Sequence, residues 1–120
     1  MDDSIVRGTT SKRLVDLVRR AGAKEVYFVS TCSPIRKPCF YGIDFPNPEE
    51  LIATDRNEKQ IAEALNADKV VYLDQDSLRE AIGLKSMCMA CLDGKYPTDV
   101  SAGIAFEKRR RGDRRGKGKA

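Results

Sequence analysis

An Asp-Asp pair, then Ser-Ile-Val, then Arg-Gly-Thr-Thr running into an amphipathic pattern, leaves the start of this chain few ways to fold. Residues Asp2 to Thr10 hold in one line the parts of a phosphosugar site. Gly8 can take a positive φ and let the backbone approach a ligand closely. Thr9 and Thr10 bring hydroxyls and unpaired N–H groups to a helix N-terminus, where the macrodipole favours an anion. A loop of this kind forms a nest of donors around a phosphate. The carboxylates of Asp2 and Asp3 suit ribose hydroxyls or a magnesium ion bridging to phosphate oxygens. The competing reading is an ordinary capped helix start with two solvated acids in front of it.

Behind the loop, Leu14, Val15, Leu17, Val18 and Ala21 recur at helical spacing, which predicts a helix from about Thr10 to Ala21, closed by Gly22. Glu25 to Ser30 reads as a strand. Together they form the second half of a βαβ unit. In a doubly wound sheet the strand before such a loop delivers the acidic pair, yet only Met1 precedes Asp2. The expectation is therefore a piece of a longer protein, or a strand donated by a separate polypeptide.

From Thr31 to Pro48 the Pro and Gly content forbids a long regular element. Pro48 to Ala53 suits a short helix, Asn57 caps a second one, Lys69 to Leu73 is a strand, and Asp76 caps a third helix ended by Gly83. These elements read as scaffold. No repeat is visible, and 120 residues allow one domain with a modest core.

Two stretches carry a family resemblance. Asp2-Asp3-Ser4-Ile5-Val6-Arg7-Gly8-Thr9-Thr10 resembles the phosphoribosyl-pyrophosphate (PRPP) loop of type I phosphoribosyltransferases, in the version of the glutamine PRPP amidotransferases. Ser33-Pro34-Ile35 with Pro38-Cys39-Phe40-Tyr41-Gly42-Ile43-Asp44 resembles the same family, in the right order and at a plausible distance. The resemblance covers about Asp2 to Thr98. It implies an α/β fold, a partial type I phosphoribosyltransferase (Rossmann-like) domain lacking its first strands. Residues 1–48 would be the PRPP loop with its helix and strand. Residues 49–106 would be a helical and strand extension bearing a Cys-x-x-Cys, and residues 107–120 a disordered basic tail.

Four cysteines and no histidine exclude Ser-His and Cys-His chemistry and Cys-His zinc sites within the chain. Cys88-Met89-Ala90-Cys91 places two thiolates on one side of a turn, and Cys39 adds a third from a distant segment. A thioredoxin-type redox pair, a four-thiolate zinc knot and inert buried thiols all remain open from the residues alone. The resemblance, to the iron–sulfur subgroup, makes Cys39, Cys88 and Cys91 three of the four ligands of a structural 4Fe-4S cluster. It places the fourth upstream and leaves Cys32, where the family usually has a small polar residue, pointing elsewhere.

The formal net charge of +4 is concentrated at one end. From Lys108 onward eight Lys or Arg face one Asp, a local +7 that leaves −3 on the first 107 residues. No aromatic interrupts this tail for base stacking, so a solvated segment is favoured over a nucleic-acid arm. No run approaches a membrane span and no signal peptide opens the chain, so a cytoplasmic setting is expected.

The resemblance implies an enzyme forming phosphoribosylamine from PRPP, with pyrophosphate released and ammonia drawn from glutamine, the first committed step of purine synthesis. Asp2 and Asp3 would serve ribose and Mg2+, Ser4 the same ligand, and Arg7, Gly8, Thr9 and Thr10 its 5′-phosphate. The glutaminase domain, pyrophosphate loop and lid have no counterpart in these residues. An inactive piece is expected, completed by the missing half in cis or trans and homo-oligomeric at full length. The rival is a stand-alone metal- and polyanion-binding module.

Overall fold

The computed structural model describes residues 1–45 and 47–116. Its centre is a two-stranded parallel sheet, β1 (Tyr27–Ser30) beside β2 (Lys69–Tyr72), with Tyr27 opposite Lys69 and Ser30 opposite Tyr72. On the other side of β1, Asp2 forms a single parallel bridge to Ser30. Its N–H donates to the Val29 carbonyl at 2.9 Å and its carbonyl accepts from Thr31 N–H at 3.1 Å. The acidic pair thus enters the fold at the carboxyl end of a strand position, where α/β sheets present their ligand sites.

Helix α1 (Thr9–Arg20) runs one residue ahead of the sequence expectation at both ends. Basic Arg19 and Arg20 fill its last turn and Gly22 follows at φ +101°. Only Val15 of its apolar residues is buried; Leu14, Leu17 and Val18 stay exposed, Leu17 at 63 %. Asp68 ties this layer together. Its Oδ2 accepts from Val26 N–H at 2.7 Å and from the Arg19 guanidinium at 2.8 Å. The Val26 N–H, then Arg19, hold its carboxyl below the ordinary range.

α2 (Glu58–Leu65) starts at Asn57 as expected, with Asn57 and Gln60 each bonding the other's backbone N–H. Pro48 to Ala53 departs from expectation. Only Pro48–Glu50 makes a short 3-10 turn, because Leu51, Ile52 and Ala53 are each drawn into the core instead. The cap of α3 (Gln75–Ile82) is Asp74, two residues before the expected Asp76. Asp74 Oδ1 takes the free N–H groups of both Asp76 and Ser77. α4 (Ala90–Asp93) is a single turn carrying Cys91.

α5 (Ser101–Gly116) corrects the expectation of a disordered tail: the described part of 107–120 continues a helix to Gly116, and residues 117–120 lie outside the described residues. Asp99 primes it by accepting from Ser101 N–H at 2.9 Å. Lys and Arg bury nothing yet are good helix formers, and Glu107 pairs with Arg110 one turn on at 3.2 Å. Composition excluded a core, not a helix.

Two clusters fill the interior. Ile5, Val15, Phe28, Ile52, Ile61, Leu65 and Val70 pack α1 and α2 against the sheet. Ile35, Leu51, Met89 and Leu92 form a second cluster under the irregular segment, with Val6, Phe45, Cys32 and Cys91 against it.

Candidate functional site

The loop is built from the inside out. Ile5 is 2 % exposed and anchors it in the first cluster, and Val6 carbonyl accepts from Ile52 N–H at 2.9 Å. Gly8 is the N-cap of α1 at φ +79°, ψ −2°, a left-handed conformation that L side chains rarely adopt. A Cβ there would strike Ile52 Cδ1 and lie 2.9 Å from Leu65 Cδ2. No side chain caps α1, so the first-turn N–H groups stay available to a ligand. Thr9 and Thr10 are exposed beside them.

Asp2, Ser4, Arg7, Gly8, Thr9 and Thr10 line one cavity of about 640 Å³. Asp3 does not. Successive residues of an extended chain face opposite sides, and Asp3 is exposed, its carboxylate accepting from the Ser4 hydroxyl at 3.3 Å. Asp2 Oδ1 in turn accepts from Asp3 N–H at 2.9 Å. Arg7 leans on Glu50 at 3.4 Å, an exposed pair of little energetic weight that still sets its direction. Sequence reading missed the opposite wall: Ile43, Asp44 and Phe45, with Ser11, also line this cavity. The stretch holding Asp44 carries part of the family resemblance and a cysteine, but nothing in its sequence assigned it to this wall. A second cavity of about 370 Å³ lies beyond Gly8, with Lys12, Arg13 and Arg56 around it.

The irregular segment folds back over the Cys-x-x-Cys. Arg36 N–H and Lys37 N–H both donate to the Cys91 carbonyl, at 2.9 and 3.0 Å, and Tyr96 hydroxyl donates to Pro38 carbonyl at 2.7 Å. Cys39, Cys88 and Cys91 line a cavity of about 310 Å³ walled by Tyr41, Ile43, Tyr96 and Pro97. Tyr41 and Tyr96 shield it, their rings 6.3 Å apart. Phe40 lies against Gly103 and lines a neighbouring pocket. Burial pushes the Cys91 thiol up, and the nearby Cys32, Cys39 and Cys88 push it further.

The loop and the cysteine cavity accommodate their implied groups differently. Asp2 offers a carboxylate on the wall of the larger cavity, as a hydrated Mg2+ requires. The three thiols give soft donors and a walled space suited to an iron–sulfur group, one donor short of four. As placed, no group of three or more Cys, Asp or Glu among the described residues is disposed to hold a single ion.

A glycine-capped loop at the carboxyl end of a parallel sheet, opening a helix behind an acidic residue, is the arrangement of a phosphoribosyltransferase-type α/β fold. Known proteins narrow this. The chain is 51 % identical over 108 residues to the amidophosphoribosyltransferase of Methanocaldococcus jannaschii, covering 90 % of this chain and 22 % of that protein. It is 45 % identical over 106 residues to that of Bacillus subtilis, covering 83 % of this chain and 22 % of that protein. The solved B. subtilis glutamine PRPP amidotransferase, complexed with ADP and GMP, superposes with a TM-score of 0.74 at 45 % identity, over 81 % of this chain and 23 % of that one. A solved allosteric regulatory enzyme of purine biosynthesis gives a TM-score of 0.76 at 46 % identity, over 82 % of this chain and 23 % of that one. No family model matches the chain. Over the matched stretch the chain belongs with the amidophosphoribosyltransferases, as a partial-length relative spanning a little over a fifth of them at 22 %.

Proposed function

We propose that this chain is the PRPP-loop and cysteine-bearing part of an amidophosphoribosyltransferase, forming phosphoribosylamine from PRPP and glutamine-derived ammonia at the entry to purine synthesis. The observation that carries the proposal is Gly8 in the left-handed region at the mouth of α1, with Asp2, Ser4, Arg7, Thr9 and Thr10 around one cavity.

In this reading the first-turn N–H groups of α1 and the hydroxyls of Thr9 and Thr10 grip the 5′-phosphate, and Arg7 adds a cation. Asp2 on the cavity wall, with Asp3 beside it, holds the ribose hydroxyls and the water shell of Mg2+. Bound Mg2+ would neutralise the pyrophosphate leaving group. The loop's part is positioning: a phosphate fixed at one end of the sugar sets where the anomeric carbon stands for attack. Cys39, Cys88 and Cys91 would hold a structural iron–sulfur group, which would supply a bond between the irregular segment and α4. No helix among the described residues is long and apolar enough to cross a membrane; in this reading the chain works in the cytoplasm together with the rest of the enzyme, in cis or trans, and in a homo-oligomer.

Thr9 and Thr10 are exposed, so Val at either leaves the core untouched. Each lost hydroxyl bond to a charged phosphate is worth about 1.5–3 kcal/mol, roughly 10- to 150-fold in affinity. The test is calorimetry of PRPP with Mg2+ on the full-length enzyme carrying this stretch. Unchanged affinity in Thr9→Val and Thr10→Val would remove the phosphate-loop assignment.

A further inference from the structure

We infer that Arg36 is a positioning residue of the phosphate loop: it fixes the turn over residues 51–56 so that Ile52 backs Gly8. The inference rests on the phosphate-loop reading above and adds to it a residue that lines neither cavity beside Gly8.

Arg36 is half-buried in the irregular segment, its backbone held on both sides. Its N–H donates to the Cys91 carbonyl at 2.9 Å, and its carbonyl accepts from the Thr54 hydroxyl at 3.3 Å. Its guanidinium donates to the Ala53 carbonyl and, at 3.0 Å, to the Arg56 carbonyl. Ala53, Thr54 and Arg56 are thus all tied to this one residue. Ala53 is 0 % exposed, so no water takes over the bond to its carbonyl when the guanidinium is lost.

The turn bears directly on the loop. Ile52 N–H donates to the Val6 carbonyl at 2.9 Å, and the Ile52 carbonyl accepts from the Arg56 guanidinium at 3.0 Å. The Ile52 side chain fills the space where a Cβ on Gly8 would stand. No helix or strand holds the turn: the 3-10 turn ends at Glu50 and α2 begins at Glu58. Within it Asp55 sits at φ +55°, a left-handed conformation uncommon outside glycine. The Arg36 guanidinium grips the carbonyls on either side of Asp55 and so holds the turn in that shape. Without it the turn relaxes and carries Ile52 away from Gly8. A site that acts by positioning is sensitive to small displacements of this kind.

Kinetics of the full-length enzyme carrying this stretch test the role. Arg36→Met keeps the stem and removes the donors, so KM for PRPP should rise about tenfold while kcat at saturating PRPP stays within about twofold. Arg36→Lys restores one cationic donor and should raise KM only about threefold. Asp74→Ala, which strips the cap from α3, is the stability control and should leave KM unchanged. On the 120-residue chain, hydrogen exchange should show protection of the Ile52 amide falling about tenfold in Arg36→Met, with the Ile61 amide of α2 unchanged. Arg36→Lys, the milder change, carries both measurements where Arg36→Met does not fold. Unchanged KM in the Arg36 variants beside a raised KM in Thr9→Val would overturn the role of Arg36 and leave the phosphate loop standing. An equal rise in Asp74→Ala, or an equal loss of protection at Ile52 and Ile61, would overturn it too, by reducing Arg36 to a stability contact. Unchanged KM in both the Arg36 variants and Thr9→Val would sink both readings.

Discussion

Gly8→Ala isolates the geometry on which the proposed phosphate loop depends. Two separate penalties arise. An L residue at φ +79° pays about 1–2 kcal/mol of left-handed strain. Its methyl must also displace Ile52 Cδ1 and Leu65 Cδ2, the latter 2.9 Å away, and both residues are buried, Leu65 at 0 % exposure. Overpacking of that kind costs about 1–3 kcal/mol. The expected destabilisation is then about 2–5 kcal/mol, which for a chain of this size lowers Tm by roughly 8–25 °C. Gly22→Ala is the internal control: φ is +101° with nothing within 4 Å of the added Cβ, so only strain applies. The difference between the two variants in urea unfolding measures the clash. In the double variant Gly8→Ala with Ile52→Ala, the clash component should shrink while the strain persists. A Gly8→Ala chain within about 0.5 kcal/mol of wild type would refute both the loop conformation and the close approach behind it.

Other perturbations follow from single contacts. Gly103 faces Phe40, whose Cδ1 would lie 2.7 Å from an added Cβ, so Gly103→Val should loosen α5 and lower amide protection from Ile104 to Arg110 about tenfold by hydrogen exchange. The buried Tyr72 hydroxyl has no hydrogen-bond partner among the described residues and its pKa is pushed up to about 12, burial being the main cause, so Tyr72→Phe should be neutral or stabilising by about 1 kcal/mol in urea unfolding. Asp68 has a lowered pKa, so its contribution is complete above its unfolded value of 3.8 and is lost as pH falls through the folded value. Asp68→Asn should flatten the acid limb of stability against pH below about 4, and an unchanged limb would exclude the Val26–Arg19 anchor. The 120-residue chain with ammonia and PRPP should form no phosphoribosylamine above background, since the pyrophosphate loop and lid that the family resemblance implies, which would neutralise the leaving group, have no counterpart among the described residues.

The elements that sequence periodicity announced are those whose signals were local. Asn57 with Gln60 three residues on marks α2 outright, and the β-branched run Val70-Val71 marks β2. Gly8, followed by two threonines and a helical pattern, announced the left-handed cap at its position. What failed was decided by competition. Asp74 and Asp76 are both acceptable caps, and Asp74 wins because its carboxylate reaches two N–H groups and the Ser77 hydroxyl at 2.6 Å. Leu51 to Ala53 had helical credentials but were worth more as core. α5 was hidden because its composition speaks only about burial, and a basic helix is stabilised locally, by its cap and by Glu107–Arg110.

The site shows the same division at closer range. An adjacent acidic pair reads in sequence as one unit, yet the bridge of Asp2 to Ser30 fixes extended backbone, and extended backbone turns neighbouring side chains apart. Asp2 therefore looks into the cavity while Asp3 faces solvent with Ser4 on its carboxylate. Asp44, on the far wall, belongs to a segment with no periodicity and could be placed only by the fold. Cys32 shares that history. It stands two residues beyond β1, so the strand that positions Asp2 also delivers this thiol toward α4.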